Sequence, residues 1–312
     1  MSAAVETESP PYETIRQRGG YWAQTGRRLA RQPLTLAAIV VLAGLLVTGG
    51  LAAQIAPERW NSLDLAARWH NHPPTLAARH FFGTDNIGRD ILVRVLWGLH
   101  FTEQAALLGA LFAALLGIVA GGLAGLYGGW LDAVVMRFVD LVTAFPAIVL
   151  MIAAFFFLAP LTVAKATLVF TLYLWTQVAR ALRARIVTLG GEEYVQAARA
   201  LGASDARIFF RHLLPNAAGT VVVAATALLG QIVLIEATAE FFGFGVASLN
   251  RPTLGNLLAE ATTTGIGRYN TLGLGWWVWV SPACVLVLIL IAVNLIGDGL
   301  DNALNPRARQ SG

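Results

Sequence analysis

Six runs of predominantly apolar residues dominate the sequence, and each is close to the length that crosses a lipid bilayer as a helix. About 20 such residues span the roughly 30 Å hydrocarbon core. Backbone groups in lipid must pair within their own segment, so runs of this length form helices. Only 13% of the 312 residues are charged, against about a quarter in a soluble domain. We therefore predict an all-α polytopic membrane protein with about six transmembrane helices, at 34–55, 104–127, 134–158, 161–179, 217–244 and 274–296.

Arginine is concentrated in the two tails and in one central segment, which all fall on one side of the membrane if there are six crossings. Basic residues near helix ends are retained in the cytosol, so both termini are predicted to be cytosolic. In the opposite loops arginine is matched by acids, namely Glu58, Asp64, Asp85, Asp90 and Glu260. The predicted divisions are a cytosolic tail (1–33), a first transmembrane helix (34–56), an extracytoplasmic loop (57–103), a transmembrane core (104–300) with a cytosolic loop (180–216), and a cytosolic tail (301–312).

The cytosolic loop contains the stretch EEYVQAARALGASDARIFFRHLLPN (192–216), which has the pattern of a short amphipathic helix. Glu192 and Glu193 suit the positive N-terminal end of a helix. Four apolar residues recur on one helical face: Tyr194, Ala197, Ala198 and Leu201. Because a helix of about ten residues is marginal alone, this face is predicted to bury itself against a partner. An interfacial helix lying on the membrane is the alternative.

The second half of this stretch is predicted to form another short helix. Gly202 has the position of a helix stop, and Ser204 or Asp205 that of the next N-cap. Arg211 and His212 are then expected in the last turn before Pro215. The prediction is therefore two short helices joined at a glycine corner.

A stripe of small residues runs along the second apolar segment at four-residue spacing. It comprises Gly109, Ala113, Gly117, Gly121, Gly125 and Gly129. Small side chains on one helical face let another backbone approach closely. The stripe, and in particular Gly117, Gly121 and Gly125, is therefore predicted to be a helix-packing face.

Other residues carry weaker indications of chemistry. Asp140 and Glu236 are ionisable groups in or near membrane runs, where charge is costly and often functional; structural pairing and a role in substrate binding both remain open. His70, His72 and His80 do not form a recognised zinc-ligand pattern. The single Cys284 is expected to be a small buried hydrophobe.

The sequence contains no G-x-x-x-x-G-K-[ST] phosphate-binding loop, since its only lysine is Lys165, in VAKAT. The chain therefore has no phosphate-binding site of this kind, and we expect it not to be an enzyme. We expect neither a bound cofactor nor a metal. The net charge of +4 gives no basis for nucleic-acid binding.

The 192–216 stretch resembles the cytoplasmic "EAA" loop of bacterial binding-protein-dependent ABC importer permeases. Ala197 and Ala198 are followed after three residues by Gly202, and Leu214–Pro215 comes later, while Gln196 stands where that family has Glu. Further stretches are similar to the C-type subunit of the dipeptide, oligopeptide and nickel subfamily: HFFGTDNIGRDILVRVLWG (80–98), YGGWLDAVVMRFVDLVTAFP (127–146), EATAEFFGFG (236–245) and NLIGDGLDNALNPR (294–307). The last departs from the family at Asp301, Asn302 and Asn305.

The resemblance implies that the loop forms a coupling helix in a groove of an ATPase subunit, a helix-in-groove contact. The residues assigned to this coupling loop are Glu193, Tyr194, Gln196, Ala197, Ala198, Leu201, Gly202, Ala203, Arg211, His212 and Pro215. It also implies a bacterial cytoplasmic (inner) membrane location and three kinds of protein partner: a second, B-type permease, two ABC ATPases that hold ATP and Mg, and an extracytoplasmic substrate-binding protein. Membrane lipid surrounds the helices.

The expected function is therefore that of a permease subunit that forms a translocation path with the second permease. Di- or oligopeptides are the expected substrates, and nickel, glutathione or another small solute is the alternative. An ion-coupled secondary transporter is a more distant alternative, which inverted repeats or broken helices in corresponding halves would favour. A membrane enzyme would need a nucleophile and a base that converge within the membrane. The residues that line the path are not identified by sequence.

Overall fold

The computed structural model describes residues 21–57, 72–75, 80–85, 87–158, 162–244, 252–262 and 275–304. Within these ranges the chain is helical, and extended pairing is limited to isolated bridges of Thr75 with His80 and of Thr84 with Asp90. The helices are α1 (Tyr21–Leu29), α2 (Pro33–Gly50), α3 (Ala52–Ile55), α4 (Ile91–Tyr127), α5 (Gly129–Thr143), α6 (Ala147–Phe157), α7 (Val163–Gly190), α8 (Glu193–Ala200), α9 (Asp205–Ile208), α10 (Leu214–Phe241), α11 (Leu254–Glu260) and α12 (Trp276–Leu304), with a π-helical turn (Phe209–Leu213) between α9 and α10. The predicted all-α polytopic class is confirmed.

Four helices in the described ranges are long and apolar enough to cross a membrane: α2, α4, the helix Asp205–Phe241 and α12. The bent pair α5–α6 makes a fifth if it counts as one span. The predicted count of six is therefore not reproduced by length and composition. The remaining predicted run, 161–179, overlaps α7 from Val163 onward, and the 28 residues of this helix include Lys165, Gln177 and Arg180 and are less apolar for that reason.

The helix that contains the second run is longer than the run itself, because α4 begins at Ile91, thirteen residues before position 104, within the predicted 57–103 loop. Asp90 caps this helix: its carboxylate accepts a hydrogen bond from the Val93 amide at 3.1 Å. The first turns of the helix contain the polar residues Arg94, His100 and Glu103. Because these residues interrupt the apolar run, the hydropathy pattern does not reveal these turns. His100 lies within hydrogen-bonding distance, 2.9 Å, of the Gly49 carbonyl, so these turns pack beside the end of α2.

The third run is broken rather than straight. Between α5 and α6 the helix axis turns by 82°. Pro146 causes the break, since a proline disfavours helical geometry in the residue before it and donates no backbone hydrogen bond. The Tyr173 hydroxyl of α7 donates to the Phe145 carbonyl at 3.1 Å and so satisfies a backbone group at the break.

The glycine stripe of α4 faces α7. A Cβ atom on Gly117 would lie 2.6 Å from Cβ of Val178, one on Gly121 would lie 2.7 Å from Cα of Ala179, and one on Gly125 would lie 2.9 Å from Cβ of Ile186. Real side chains do not approach so closely, so these positions accommodate glycine alone without a shift of α7. The α4–α7 pair forms the centre of the bundle, and α10 packs against both helices.

A network of ion pairs joins the first turn of α4 and the segment before it to α11. The guanidinium of Arg94 binds Glu260 through two hydrogen bonds of 2.7 and 2.9 Å and reaches Asp85 at 3.2 Å. Arg89 binds the same two carboxylates. Burial alone would raise the pKa of Glu260, but the hydrogen bonds and charges of Arg94 and Arg89 outweigh it and hold that pKa below its ordinary value. The network holds the N-terminal end of α4 against the C-terminal end of α11.

The two ends of the described chain meet. Within the predicted tail 1–33, residues Tyr21–Leu29 form α1, and Arg28 of this helix donates to the Ala303 carbonyl at the end of α12 across 3.3 Å. The small residue Gly299 of α12 lies against Thr35 at the start of α2. Asn305, one of the departures noted above, lies outside the described residues.

Candidate functional site

The loop between α7 and α10 begins with a glycine turn that is fixed by a side chain. Helix α7 ends at Gly190, and α8 begins at Glu193 with Glu192 as its N-cap residue. The side-chain amide of Gln196 in α8 donates a 2.8 Å hydrogen bond back to the Gly190 carbonyl. A carboxylate could only accept hydrogen bonds. Glutamine at position 196, where glutamate was expected, therefore makes a contact that glutamate could not make.

Gly202 ends α8 in a left-handed conformation, with φ of +77°. Its amide donates to the Arg199 carbonyl at 2.9 Å, and the next amide, of Ala203, donates to the Ala198 carbonyl at 3.0 Å. This pair of bonds is the Schellman motif, which favours glycine at its left-handed position. The Ser204 hydroxyl then accepts from the Arg207 amide and caps the following helix, so the glycine corner lies where the sequence indicates.

Helix α8 is anchored to the body of the protein by Val195. This side chain is fully buried in a cluster with Leu182 and Ile186 of α7 and with Ile208 and Leu213, which follow the corner. Ala198 and Ala203 pack on the edge of the same cluster. Sequence reasoning missed Val195, because the helix carries apolar residues on two faces and the residue pattern does not say which face belongs to the chain itself.

The other apolar face of α8 points outward. Tyr194, Ala197 and Leu201 are exposed, with 42% of Tyr194 and 88% of Leu201 accessible. These three residues, spaced i, i+3 and i+7, form the outward stripe of the helix. Of the four residues predicted to share one buried face, only Ala198 packs inward within this chain.

The second helix begins after Ser204 as predicted, but its predicted end before Pro215 is wrong, because the chain is helical without a break from Asp205 to Phe241. Arg211 and His212 are therefore not in a last turn but within the π-helical turn, where the Leu214 amide donates to the Phe209 carbonyl. Pro215 accounts for the wider turn, since its ring would clash with a carbonyl four residues earlier in an α-helix. The His212 ring lies 6.2 Å from the Tyr194 ring, which links this turn to α8.

Polar groups surround the outward stripe. Glu192, Glu193, Arg199 and Arg207 are exposed, as is Arg211. Partial burial, together with the Glu192 carboxylate, raises the pKa of Tyr194 above its ordinary value, although Arg185 opposes this. Tyr194 therefore stays neutral at physiological pH and presents an apolar ring with a hydrogen-bonding hydroxyl. The surface can bury apolar area and pair charges at its rim, as a protein partner requires.

The remaining candidate residues lie elsewhere. Asp140 forms an ion pair with Arg180 at 3.0 Å, and Glu236 is buried beside Thr102. His80 contacts the Asp90 carboxylate at 2.7 Å, whereas His70 is outside the described residues. Cys284 is exposed on α12, so its expected burial is wrong. Nothing in the described ranges groups three potential metal-binding side chains of the His, Cys, Asp or Glu type.

Comparison with known proteins identifies a family whose sequence pattern this chain matches. Residues 96–310 match the model of the family described as "binding-protein-dependent transport system inner membrane component". The chain is 34% identical to a putative peptide transport system permease protein of Brucella abortus over 92% of this chain and 93% of the relative. It is 31% identical to a putative peptide permease protein of Brucella suis, over 93% and 92%. It is 29% identical to the dipeptide transport system permease protein DppC of Alkalihalophilus pseudofirmus, over 97% and 96%.

Proposed function

The chain belongs to the family of binding-protein-dependent transport system inner membrane components, and from this premise we propose that it is a peptide permease subunit whose 192–216 loop couples it to an ATPase. The permease role follows from the family. The peptide substrate is inferred from the relatives, which are named as peptide or dipeptide permeases. A permease for nickel, glutathione or another small solute is the alternative.

The observation that carries the coupling role is the two-sided character of α8. Val195 fixes one side of the helix in the body of the chain, while Leu201 and Tyr194 present apolar surface on the other side. A helix of eight residues is unstable alone, so the inner anchor holds it in place for a partner. Such a helix suits a groove that accepts its i, i+3 and i+7 residues, which supports the assignment of the coupling-loop residues given above.

The connections of α8 explain how motion of an ATPase would reach the membrane helices. On one side α8 is tied to α7 through Gln196 and Gly190, and on the other it leads through Gly202 into the helix Asp205–Phe241. Both of these helices pack against α4. A rigid-body shift of α8 therefore displaces the centre of the bundle, as in domain movements that reorient a transport path.

ATP and Mg are assigned to two ATPase subunits, and the chain itself is proposed to hold no cofactor and to catalyse no reaction. Its only lysine, Lys165, donates to the Leu158 carbonyl at 2.8 Å and so serves the junction of α6 and α7. A second permease and an extracytoplasmic binding protein complete the proposed complex. Both termini are assigned to the cytosol of a bacterium because of the arginine bias. The contact between Arg28 and Ala303 supports their lying on the same side of the membrane.

The test is purification through a tag on this chain, coexpressed with the second permease and the ATPases. We expect the ATPases to copurify, and proteoliposomes of the complex to take up a dipeptide when ATP and the binding protein are supplied. Uptake that needs an ion gradient and no ATPase would instead establish the secondary-transporter alternative. A binding assay on the partner binding protein with a dipeptide, nickel and glutathione separates the substrate classes.

A further inference from the structure

Two glutamine side chains meet on an exposed surface where the central parts of α7 and α10 lie side by side. The Gln177 amide of α7 donates a 2.7 Å hydrogen bond to the Gln231 amide oxygen of α10, and both residues are exposed. Gln177 is the fifteenth of the 28 residues of α7, and Gln231 is the eighteenth of the 28 residues of α10. Gln231 lies in the middle of the predicted membrane run 217–244, and its hydrogen bond brings Gln177 to the same depth in the bilayer.

The same surface carries an ion pair one turn further along α7. Arg180, three residues after Gln177, binds the Asp140 carboxylate of α5 at 3.0 Å and the Thr143 hydroxyl at 3.3 Å. About half or more of each charged side chain is exposed, 54% for Arg180 and 60% for Asp140. We call these five residues, Gln177, Gln231, Arg180, Asp140 and Thr143, the polar face. It extends across three helices, α5, α7 and α10.

Another side of the bundle has the composition that a lipid-facing surface requires. There α7 exposes Leu168 and Leu172, and the neighbouring surface of α4 exposes Leu111, Leu115 and Val119. These are apolar residues without charge. An exposed ion pair in hydrocarbon is costly, and ionisable groups at membrane depth face protein or a water-filled space. The polar face therefore does not face lipid.

We propose that the polar face is a wall of the translocation path and that it binds the main chain of a peptide in transit; this inference rests on the peptide-permease function proposed above. A glutamine amide both donates and accepts hydrogen bonds, so Gln177 and Gln231 can pair with the N–H and C=O groups of any peptide sequence. Arg180 and Asp140 offer opposite charges to a terminal carboxylate and a terminal ammonium group. The wall thus selects for the peptide backbone and tolerates different side chains.

The test is thiol labelling in the assembled transporter. In a Cys284→Ala background, Gln177→Cys and Leu172→Cys each provide a single cysteine on α7, about 140° apart around the helix. Proteoliposomes of the complete complex are treated with a membrane-impermeant methanethiosulfonate reagent. We expect Gln177→Cys to react at least about tenfold faster than Leu172→Cys, because the reactive thiolate forms in contact with water. We also expect a dipeptide presented by the binding protein to slow the reaction at Gln177→Cys.

Equal labelling rates at the two positions would overturn the proposal, as would fast labelling of Gln177→Cys that the dipeptide leaves unchanged. In the first case the polar face is sealed against the second permease, and in the second it is hydrated but lies outside the path. Gln231→Cys provides a second reporter if Gln177→Cys fails to assemble. ATP-driven dipeptide uptake by the Cys284→Ala parent tests the proposed function separately, so a failure of either hypothesis is recognised.

Discussion

The Ala203 amide donates to the Ala198 carbonyl across 3.0 Å, and this bond closes α8 because Gly202, between them, holds a left-handed backbone with φ of +77°. Space is available at Gly202, since no heavy atom lies within 4 Å of a Cβ atom built there. The requirement for glycine is thus conformational. The direction in which the outward stripe points depends on this one residue.

We predict that Gly202→Val leaves the membrane helices inserted but weakens ATPase association or uncouples ATP hydrolysis from uptake. A side chain in the left-handed region costs on the order of 1 to 2 kcal/mol, and a β-branched one re-aims α8. Gly202→Asn is the matched control, because asparagine tolerates this conformation. The readouts are copurified ATPase and uptake per ATP hydrolysed. Full transport by Gly202→Val with normal ATPase stoichiometry would count against a coupling role.

Leu201→Asp tests the outward stripe directly. The side chain is 88% exposed, so the substitution should leave the stability of the chain within about 0.5 kcal/mol, as at ordinary surface positions. Placed in an apolar groove, an unpaired carboxylate is costly, and we expect loss of most copurified ATPase. Arg199→Ala, exposed on the same helix, should have a milder effect. Equal ATPase recovery from both variants would show that the stripe does not contact the ATPase.

Ala198→Glu should act through a different route. Ala198 packs on the cluster around Val195 within this chain, so a carboxylate there would disturb the anchor of α8 before any partner binds. We expect this variant to lower ATPase association and also to increase protease cleavage of the 192–216 loop in the isolated permease. Unchanged cleavage relative to Leu201→Asp would place Ala198 at the partner surface instead.

Gly121→Leu should prevent normal packing of α4 on α7. A Cβ atom at this position collides with the Ala179 backbone, and overpacking a tight interface costs typically 1 to 3 kcal/mol or more. Gly44→Leu is the control, since Gly44 also lies in a membrane helix but has no heavy atom within 4 Å of its Cβ position. The measurement is the yield and thermal stability of the purified complex. Comparable values for the two variants would exclude the stripe as a packing face.

The Arg94–Glu260 network predicts a loss of stability in acid. Because the folded pKa of Glu260 lies below its ordinary value, the contribution of this carboxylate is complete above the unfolded pKa of about 4.3. It is lost as the pH falls through the lower, folded pKa. Glu260→Gln should be less stable than the parent at pH 7 and should flatten the acid dependence of the melting temperature. Parallel pH profiles would contradict this assignment.

The extent to which the sequence foretells this structure depends on where polar residues fall. The apolar runs and the glycine corner at Gly202 were predictable, because hydropathy and turn chemistry act locally. The first turns of α4 were not, since Arg94 reads as a loop residue until its partner Glu260, far along the chain, is known. Pro146 did offer an indication of the break in the third run, which the surrounding apolar residues concealed.

The candidate site, too, was predictable only in part. The pattern of Tyr194, Ala197 and Leu201 identified one face of α8, but only the fold distinguishes it from the inward side held by Val195. Of the polar face, the sequence indicated only Asp140, as an ionisable group in a membrane run. Gln177, Asp140 and Gln231 belong to three separate runs, and each looks like an isolated polar residue until the helices are packed together.

The continuous helix Asp205–Phe241 has a mechanical consequence. Its 37 residues form a rod about 55 Å long, nearly twice the thickness of the hydrocarbon core of about 30 Å. A tilt of only about 5° pivoting at one end of such a rod moves the other end by about 5 Å, close to the pitch of one helical turn. The helix therefore acts as a lever arm. A small change in its angle near Gly202 moves its other end, at the far side of the bilayer, by about 5 Å.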